Sequence, residues 1–332
     1  DDTGTSLTSQ LDEYVALDTA LVDYTIAAGS DDTIVAVTAS LKSTQNTAAN
    51  LGLTREEAIV LRIANSALTT GDPVALEAMT TALNSGGSEA TKTAKQVGLQ
   101  ADTLSVAAST LGDVGGKIAT IMFNRLTSER AGIQYARPFT GIQYAGPITG
   151  HSAGNDPLAK AIWFKAFGVS SDQNSHNSIA GYSSETSGIS TGSDVAVNDA
   201  SRIGISYSYA TTDVDGDGEG DSQVNINSHQ VSLYGDFTSR FYYLEGLVGI
   251  ALNENDRERI INFGGLNRTA SGSYENIQYS ATVRAGVPLR IPNNIFVTPN
   301  AGLSWTHIGG EQYTETGAGS LNLTVKQENV DV

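Results

Sequence analysis

From about residue 159 onward, apolar and polar side chains alternate at every second position, a period that commits the region to β-strands. Ile203, Ile205, Tyr207 and Tyr209 share one strand face, with Gly204, Ser206, Ser208 and Ala210 on the other. Tyr242, Leu244, Val248, Ile250 and Leu252 share a face opposite Glu245. Ile277, Tyr279, Ala281, Val283 and Val287 oppose Gln278, Ser280, Thr282 and Arg284. Val297, Ala301, Leu303 and Trp305 oppose Asn300 and Ser304, and Leu321, Leu323 and Val325 oppose Asn322, Thr324 and Lys326.

Two architectures use such strands. A soluble β-sandwich turns the apolar faces inward, and a membrane barrel turns them outward to lipid. Three features favour the barrel. The strands run to about ten residues, where ordinary strands average about five or six. The polar faces are small and neutral or carry Glu245 and Arg284, as a wet lumen would. Connections are short near Asn198-Asp199, Thr238-Ser239 and Pro292-Asn293, and long near 170–180, 212–222, 254–274 and 307–318. Short turns at one rim and long loops at the other are the outer-membrane pattern. Trp163, Phe237, Tyr242, Phe296 and Trp305 stand near strand ends, where aromatic girdles form. Mean hydropathy of −0.15 fits either architecture, because only alternate barrel residues meet lipid.

The first half, to about residue 131, has a helical period. Thr54-Arg55-Glu56-Glu57 has capping-box spacing before an apolar run in which Ile59, Ile63 and Ala67 share a face. Asp72-Pro73 supplies an N-cap followed by proline at the first helical position, and Asn84-Ser85-Gly86-Gly87 supplies a stop. A third apolar stripe runs through Ile118, Ile121, Met122 and Leu126, with Arg125 and Arg130 suited to its C-terminal end. Residues 132–150 then repeat GIQYA and contain Pro and Gly, which reads as an extended linker to residue 158. The fold class expected is therefore α + β: a helical segment, then an antiparallel transmembrane β-barrel.

A net charge of −17, from 36 acidic and 19 basic residues, argues against nucleic acid, whose phosphates need clustered Lys and Arg. No cysteine is present to build a disulfide framework or a thiolate site. The four histidines, His151, His176, His229 and His307, have no metal-ligand spacing, and no nucleophile elbow or P-loop occurs, so no enzyme is read here. One run has metal-binding character. Asp213, Asp215, Asp217 and Asp221 match the early positions of a calcium loop, with Gly218 at the turn. Position twelve is Val224 instead of the bidentate Glu, so calcium, the only cofactor suggested, competes with a solvated acidic hairpin loop. The Asp256–Arg259 charge run reads as a solvated loop.

Small motifs recur in a definite order: Trp163-Phe164-Lys165-Ala166-Phe167-Gly168, Gly181-Tyr182, Ser187–Asp194 (SGISTGSD), Arg202-Ile203-Gly204, Tyr207-Ser208-Tyr209-Ala210, Leu233-Tyr234-Gly235, Arg257-Glu258-Arg259, Thr298-Pro299 and Tyr313–Val325. Over residues 159–326 this series resembles the autotransporter β-domain, the type Va translocator. The resemblance implies a barrel of roughly twelve strands, of which about eight are read here, and a terminal strand ending in an aromatic residue. This chain ends acidic, at Val330-Asp331-Val332, so further strands are expected beyond it or from another chain.

The resemblance also implies export of an N-terminal passenger to the cell surface, with a helix left in the pore. Residues 111–131 are the candidate, with Lys117, Arg125 and Arg130 able to meet lumen groups such as Glu245 and Arg284. Implied partners are outer-membrane lipid, the chain's own passenger and the barrel-assembly machinery. Besides a translocator and anchor, a self-associating surface adhesin and a pore-forming channel remain as readings.

Overall fold

The computed structural model describes residues 21–26, 37–53, 55, 58–59, 61–62, 64–65, 71–85, 87–97, 101–135, 160–175, 181–218, 222–291 and 295–332. Thr54, Glu56, Glu57, Ile63, Ala67, Asp221, Pro292-Asn293, the side chain of Phe296 and the linker residues 136–159 lie outside them.

The first half is not wholly helical. Strands β1 (Val22–Ile26) and β2 (Val37–Leu41) pair antiparallel, in register from Val22↔Leu41 to Ile26↔Val37. Their β-branched content, Val, Thr and Ile, suits a pleated ribbon better than a helix. Helix α1 (Thr44–Leu51) starts at Ser43, whose Oγ accepts from the Asn46 N–H at 3.2 Å, and ends at Gly52 with φ 64°. In the helical turns that follow, Ile59 is exposed while Ala58 and Leu61 are buried, one position away from the expected face.

Helix α2 (Pro73–Asn84) has the expected cap, with Asp72 Oδ1 accepting from the Ala75 N–H at 3.1 Å, and stops at Ser85. Helix α3 (Gly87–Val97) packs on it. Small and medium side chains, Ala75, Met79 and Leu83 of α2 with Ala90, Ala94 and Val97 of α3, let the two axes approach closely. Helix α4 (Ala101–Tyr135) is the longest element of the first half. It continues through 132–135, which the repeat had suggested was extended. The first true breaker after Gly132 is Pro138. Arg125 and Arg130 therefore sit inside the helix, away from its C-terminus.

The second half folds as strands β3 (Lys160–Gln173), β4 (Tyr182–Asn198), β5 (Ser201–Gly216), β6 (Gln223–Thr238), β7 (Tyr243–Phe263), β8 (Leu266–Gly286), β9 (Leu289–Ile291), β10 (Ile295–Val297), β11 (Asn300–Ile308), β12 (Gln312–Thr314), β13 (Thr324–Lys326) and β14 (Val330–Asp331). Eight of them form one antiparallel sheet in the order β14-β11-β8-β7-β6-β5-β4-β3, with β3 and β14 at its edges. The pairs β9–β10 and β12–β13 are small separate hairpins.

Two expected long connections are largely strand. β5 and β6 stay paired to Asp215↔Gln223, and β7 and β8 to Phe263↔Leu266, closed by Gly264-Gly265 at φ 55° and 82°. The charge density around 254–259 suggested a loop, but Arg257 and Arg259 point inward while Asp256 and Glu258 point outward, so the period of two never breaks.

The sheet has its polarity inside out. Outward-facing Ile205, Leu233, Val248, Val283 and Leu303 are 43–77% exposed, while inward-facing Ser190, Ser206, Ser208, Gln230, Ser232 and Asn253 are buried. A water-soluble sheet would bury the first set; in a lipid-facing barrel the same pattern satisfies both solvents. Along β7 the outward apolar stretch runs from Leu244 to Leu252, the length of one tilted strand pass of about 9–11 residues. Beyond it, Asn253–Phe263 and its β8 partner carry a hairpin arm roughly 35 Å along the strand at about 3.3 Å per residue. Trp163, expected in a girdle, instead points inward and is buried; Phe237, Tyr242 and Trp305 are exposed.

Candidate functional site

Helix α4 occupies the inward face of the sheet. It touches β3, at one edge, and β11, next to the other edge strand, as well as β4, β5, β6 and β7 between them. One helix reaches both flanks only if the sheet curls around it. The helix runs from the long-hairpin rim, where Leu111 lies, to the short-turn rim, where Arg125 and Arg130 lie beside the ends of β4 to β7.

The short-turn end is ionic. Arg125 Nε donates to Asp194 Oδ2 at 3.1 Å and its Nη2 meets Glu129 at 2.8 Å. Arg202 Nη1 donates to the other oxygen of Asp194 at 2.5 Å, and its Nη2 stands 3.3 Å from Glu129. One turn further on, Arg130 Nη1 donates to Asp236 at 2.8 Å, and its Nη2 donates to Thr127 Oγ1 and to Glu245. The second oxygen of Glu245 accepts from Arg284 Nε at 2.6 Å. Arg130 also lies over the Tyr243 ring at 4.1 Å, and Arg284 over Phe123 at 4.7 Å. Four guanidinium and four carboxylate groups thus neutralise one another on the inner wall. Glu245 and Asp194 are fully or almost fully buried, so removing one partner leaves an uncompensated charge.

Of the residues the sequence put forward, Arg125, Arg130, Glu245 and Arg284 converge here, whereas Lys117 is exposed and belongs to neither cluster. Asp194, Asp236, Arg202 and Glu129 were missed. Strand parity held a signal for three of them, since Asp194 shares the face of Ser190, Arg202 the face of Ser206 and Asp236 the face of Tyr234.

The middle of the helix packs on aromatics. Val114, Ile118, Met122 and Leu126 meet Trp163, Tyr234 and Leu247. Trp163 Nε1 donates to the Tyr234 hydroxyl at 2.7 Å, and that hydroxyl donates to Asp194 at 3.1 Å. Tyr234 lies over Gly204 on the neighbouring strand, where an added Cβ would come within 2.4 Å of the ring.

The long-hairpin end is apolar. Leu111 is enclosed by Tyr182 of β4, Val214 of β5, Val224 and Ile226 of β6 and Ile308 of β11, all 0–6% exposed. At this level the outward positions are Asp213, Asp215 and Asn225, so the strands have reversed their polarity. Ser109 meets the Tyr182 hydroxyl at 3.2 Å.

Above this level, α2 and α3 rest on the arm. Ile261, Phe263, Leu266 and Ala270 form one core with α2, α3 and Leu321. Arg259, 1% exposed, donates to Glu315 Oε2 at 2.6 Å, to the Leu321 carbonyl at 2.9 Å and to the Gln96 carbonyl at 2.7 Å. Arg268 donates to Asp72 at 2.5 Å, which with the Ala75 N–H holds the Asp72 carboxyl below its ordinary pKa.

Of the acidic run, Asp221 lies outside the described residues. Asp213 and Asp215 lie in β5 opposite Asn225 and Gln223, exposed on the outward face, and Asp213 accepts from Asn225 at 2.6 Å. Cross-strand pairing holds these two extended. Among the described residues no three His, Cys, Asp or Glu side chains stand together as a metal-binding group.

An antiparallel sheet with an apolar exterior, a polar interior and a helix along its inner face defines an outer-membrane β-barrel domain. The family model for the autotransporter β-domain matches residues 162–332, and the chain belongs to that family. Outer membrane protein A of Rickettsia rickettsii is 32% identical over 188 residues, covering 54% of this chain and 8% of that protein. Outer membrane protein B of Rickettsia japonica is 28% identical over 184 residues, covering 53% of this chain and 11% of that protein. The chain thus spans about a tenth of the length of the curated relatives it matches. The solved translocator domain of the autotransporter NalP from Neisseria meningitidis matches with a TM-score of 0.46 and 14% identity, over 66% of this chain and 67% of that one. The domain is an outer-membrane translocator, a transport and anchoring fold in the bacterial outer membrane, with the N-terminal region on the cell-surface side.

Proposed function

We propose that this chain exports a passenger attached N-terminally, then anchors it at the surface with α4 retained in the pore. The direction of α4 carries this reading. Its N-terminal end lies at the long-hairpin rim under α2 and α3, its C-terminal end at the short-turn rim, and β3 begins at that same rim, where Lys160 pairs with Val195. The backbone therefore crosses the barrel once before the first strand. The balanced ion pairs on either side of the helix give it one axial position, since a slip of one turn would part Arg125 from Asp194 and Arg130 from Glu245. A plain channel is supported less well, because α4 fills the wall's inner face. A self-associating adhesin would be a property of the displayed passenger.

Protease shaving of intact cells tests the proposal. Peptides from residues 71–97 should be released, and none from the Asp199-Ala200 turn. Release of that turn at the same rate would reverse the topology and end the proposal.

A further inference from the structure

On the outward face of the sheet, two glycines stand side by side within the apolar band. Gly235 of β6 pairs with Gly246 of β7, and the row continues to Ile203 of β5 on one side and Val283 of β8 on the other. Leu233 and Val248 bound the depression toward the long-hairpin rim, and Phe237 and Leu244 toward the short-turn rim. These six neighbours are 43–57% exposed. The result is an apolar groove whose floor is bare backbone. Gly235 is required by the adjacent strand, because an added Cβ would come within 2.7 Å of the Arg202 carbonyl oxygen. Gly246 is not, since a Cβ there meets nothing within 4 Å. Glycine inside a strand costs stability, and where no contact within the chain asks for it, it marks close approach by another molecule.

The turn beneath the groove supplies an independent observation. Ser239 N–H donates to the Tyr242 carbonyl at 2.8 Å and closes β6 onto β7, with Arg240 and Phe241 exposed at the tip. Arg202, Arg259, Arg268 and Arg284 are each matched to a carboxylate. Arg240 has no carboxylate partner among the described residues and lies over the Phe241 ring at 5.7 Å. Phe237 and Tyr242, with ring centroids 6.1 Å apart, stand between the turn and the groove, as interfacial aromatics do. Gly235 lies roughly 10 Å along the strand from Thr238, the end of β6, at about 3.3 Å per residue. Arg240 is therefore at headgroup level and the groove among the acyl chains.

We propose that this is a binding site for one anionic phospholipid of the leaflet at the short-turn rim, with its phosphate on Arg240 and one acyl chain on the Gly235–Gly246 floor. Charge complementarity selects the headgroup: an unmatched guanidinium takes a phosphate in a bidentate contact, and a headgroup with net negative charge leaves that attraction uncancelled. The chain seat follows from shape, because a thin acyl chain reaches a floor that a bulky side chain cannot line. Bound there, the lipid fixes the depth of the barrel in its leaflet, which interfacial anchors set. The inference needs the membrane-spanning sheet and does not depend on passenger export or on the direction of α4.

The test is photo-crosslinking of the full-length protein in phosphatidylcholine vesicles that contain a small fraction of lipid bearing a mid-chain diazirine, either phosphatidylglycerol or phosphatidylcholine. Labelled peptides are mapped by mass spectrometry. The stretch Leu233–Val248 should take about fivefold more label from phosphatidylglycerol, the preference that one arginine gives at an anionic leaflet. Arg240→Ala should level the two lipids. Gly246→Leu, which fills the floor without meeting any other side chain, should remove the label from this stretch with Arg240 intact. Equal labelling by both lipids in the parent would mean surrounding lipid only, and the site falls. It falls equally if the preference survives Arg240→Ala, or if Gly246→Leu leaves the labelling unchanged. Sedimentation in detergent covers the remaining occupant: a parent dimer that Gly246→Leu converts to monomer would assign the groove to a second copy and overturn the lipid site.

Discussion

The two ends of α4 are held by opposite physics. At the short-turn rim, four arginines and four acids form two clusters whose geometry is specific, because Asp194 and Glu245 each hold two guanidinium groups at once. At the long-hairpin rim, the side-chain contact round Leu111 is apolar and non-directional, with Gln278 Nε2 donating to the Leu111 carbonyl at 3.3 Å. Buried ion pairs contribute little net stability, but a missing partner is costly. Apolar burial stabilises without fixing rotation or register. The ionic end therefore determines where the helix sits, and the apolar end determines how tightly its surroundings close.

The sharpest way to break this comparison is at Glu245, which accepts from both Arg130 and Arg284. Glu245→Ala should weaken helix retention by about 3–5 kcal/mol, the cost of stranding buried charge. The readout is the urea concentration at which α4 becomes protease-sensitive; an unchanged midpoint would show that the network is not structural. Leu111→Ala should cost about 2–4 kcal/mol, as large-to-small changes in a packed site do. Its effect on the same midpoint should be the same at high and low salt. Gly204→Ala falls between the two ends. The new Cβ meets the Tyr234 ring, so the ring must leave Asp194 and Trp163, at about 1–3 kcal/mol of overpacking. Thermal melting should show the loss, and full tolerance would mean that the Tyr234 contact is loose.

The smallest effect lies outside the membrane. Asp72 titrates below its ordinary range because Arg268 donates to it and the Ala75 N–H adds a second bond. A lowered folded pKa means that its contribution is complete above the unfolded value, about 3.9, and is lost as pH falls through the folded one. Hydrogen exchange of α2 amides should accelerate only on acidification below that range. Asp72→Asn, which keeps a capping oxygen, should abolish the acid-specific increment.

Much of this was legible beforehand, and the failures share a cause. Strand faces were readable wherever one side stayed apolar, as in Ile203–Tyr209, and Asp72-Pro73 marked a helix start by local chemistry alone. Arg257 and Arg259 were misread because charge density was weighed above parity, and their burial depends on Tyr313 and Glu315, more than fifty residues away in sequence. Trp163 looked like a girdle residue until Tyr234, on a strand three places along the sheet, supplied its acceptor. The β1–β2 pair was lost to the Ala- and Thr-rich composition around it. No local pattern announces that Asp194 will meet Arg125, since that contact exists only once the sheet has curled around the helix.

The direction of α4 through the barrel is the claim on which the rest depends. The chain has no cysteine, so single introduced thiols report without background. Asn84→Cys above the arm and Ser128→Cys at the short-turn end, both at exposed positions, can be probed on intact cells with a membrane-impermeant maleimide. Labelling of Asn84→Cys at once, and of Ser128→Cys only after the outer membrane is breached, is the predicted result. Equal labelling of both on intact cells would contradict a helix that crosses the barrel from the surface to the inner rim.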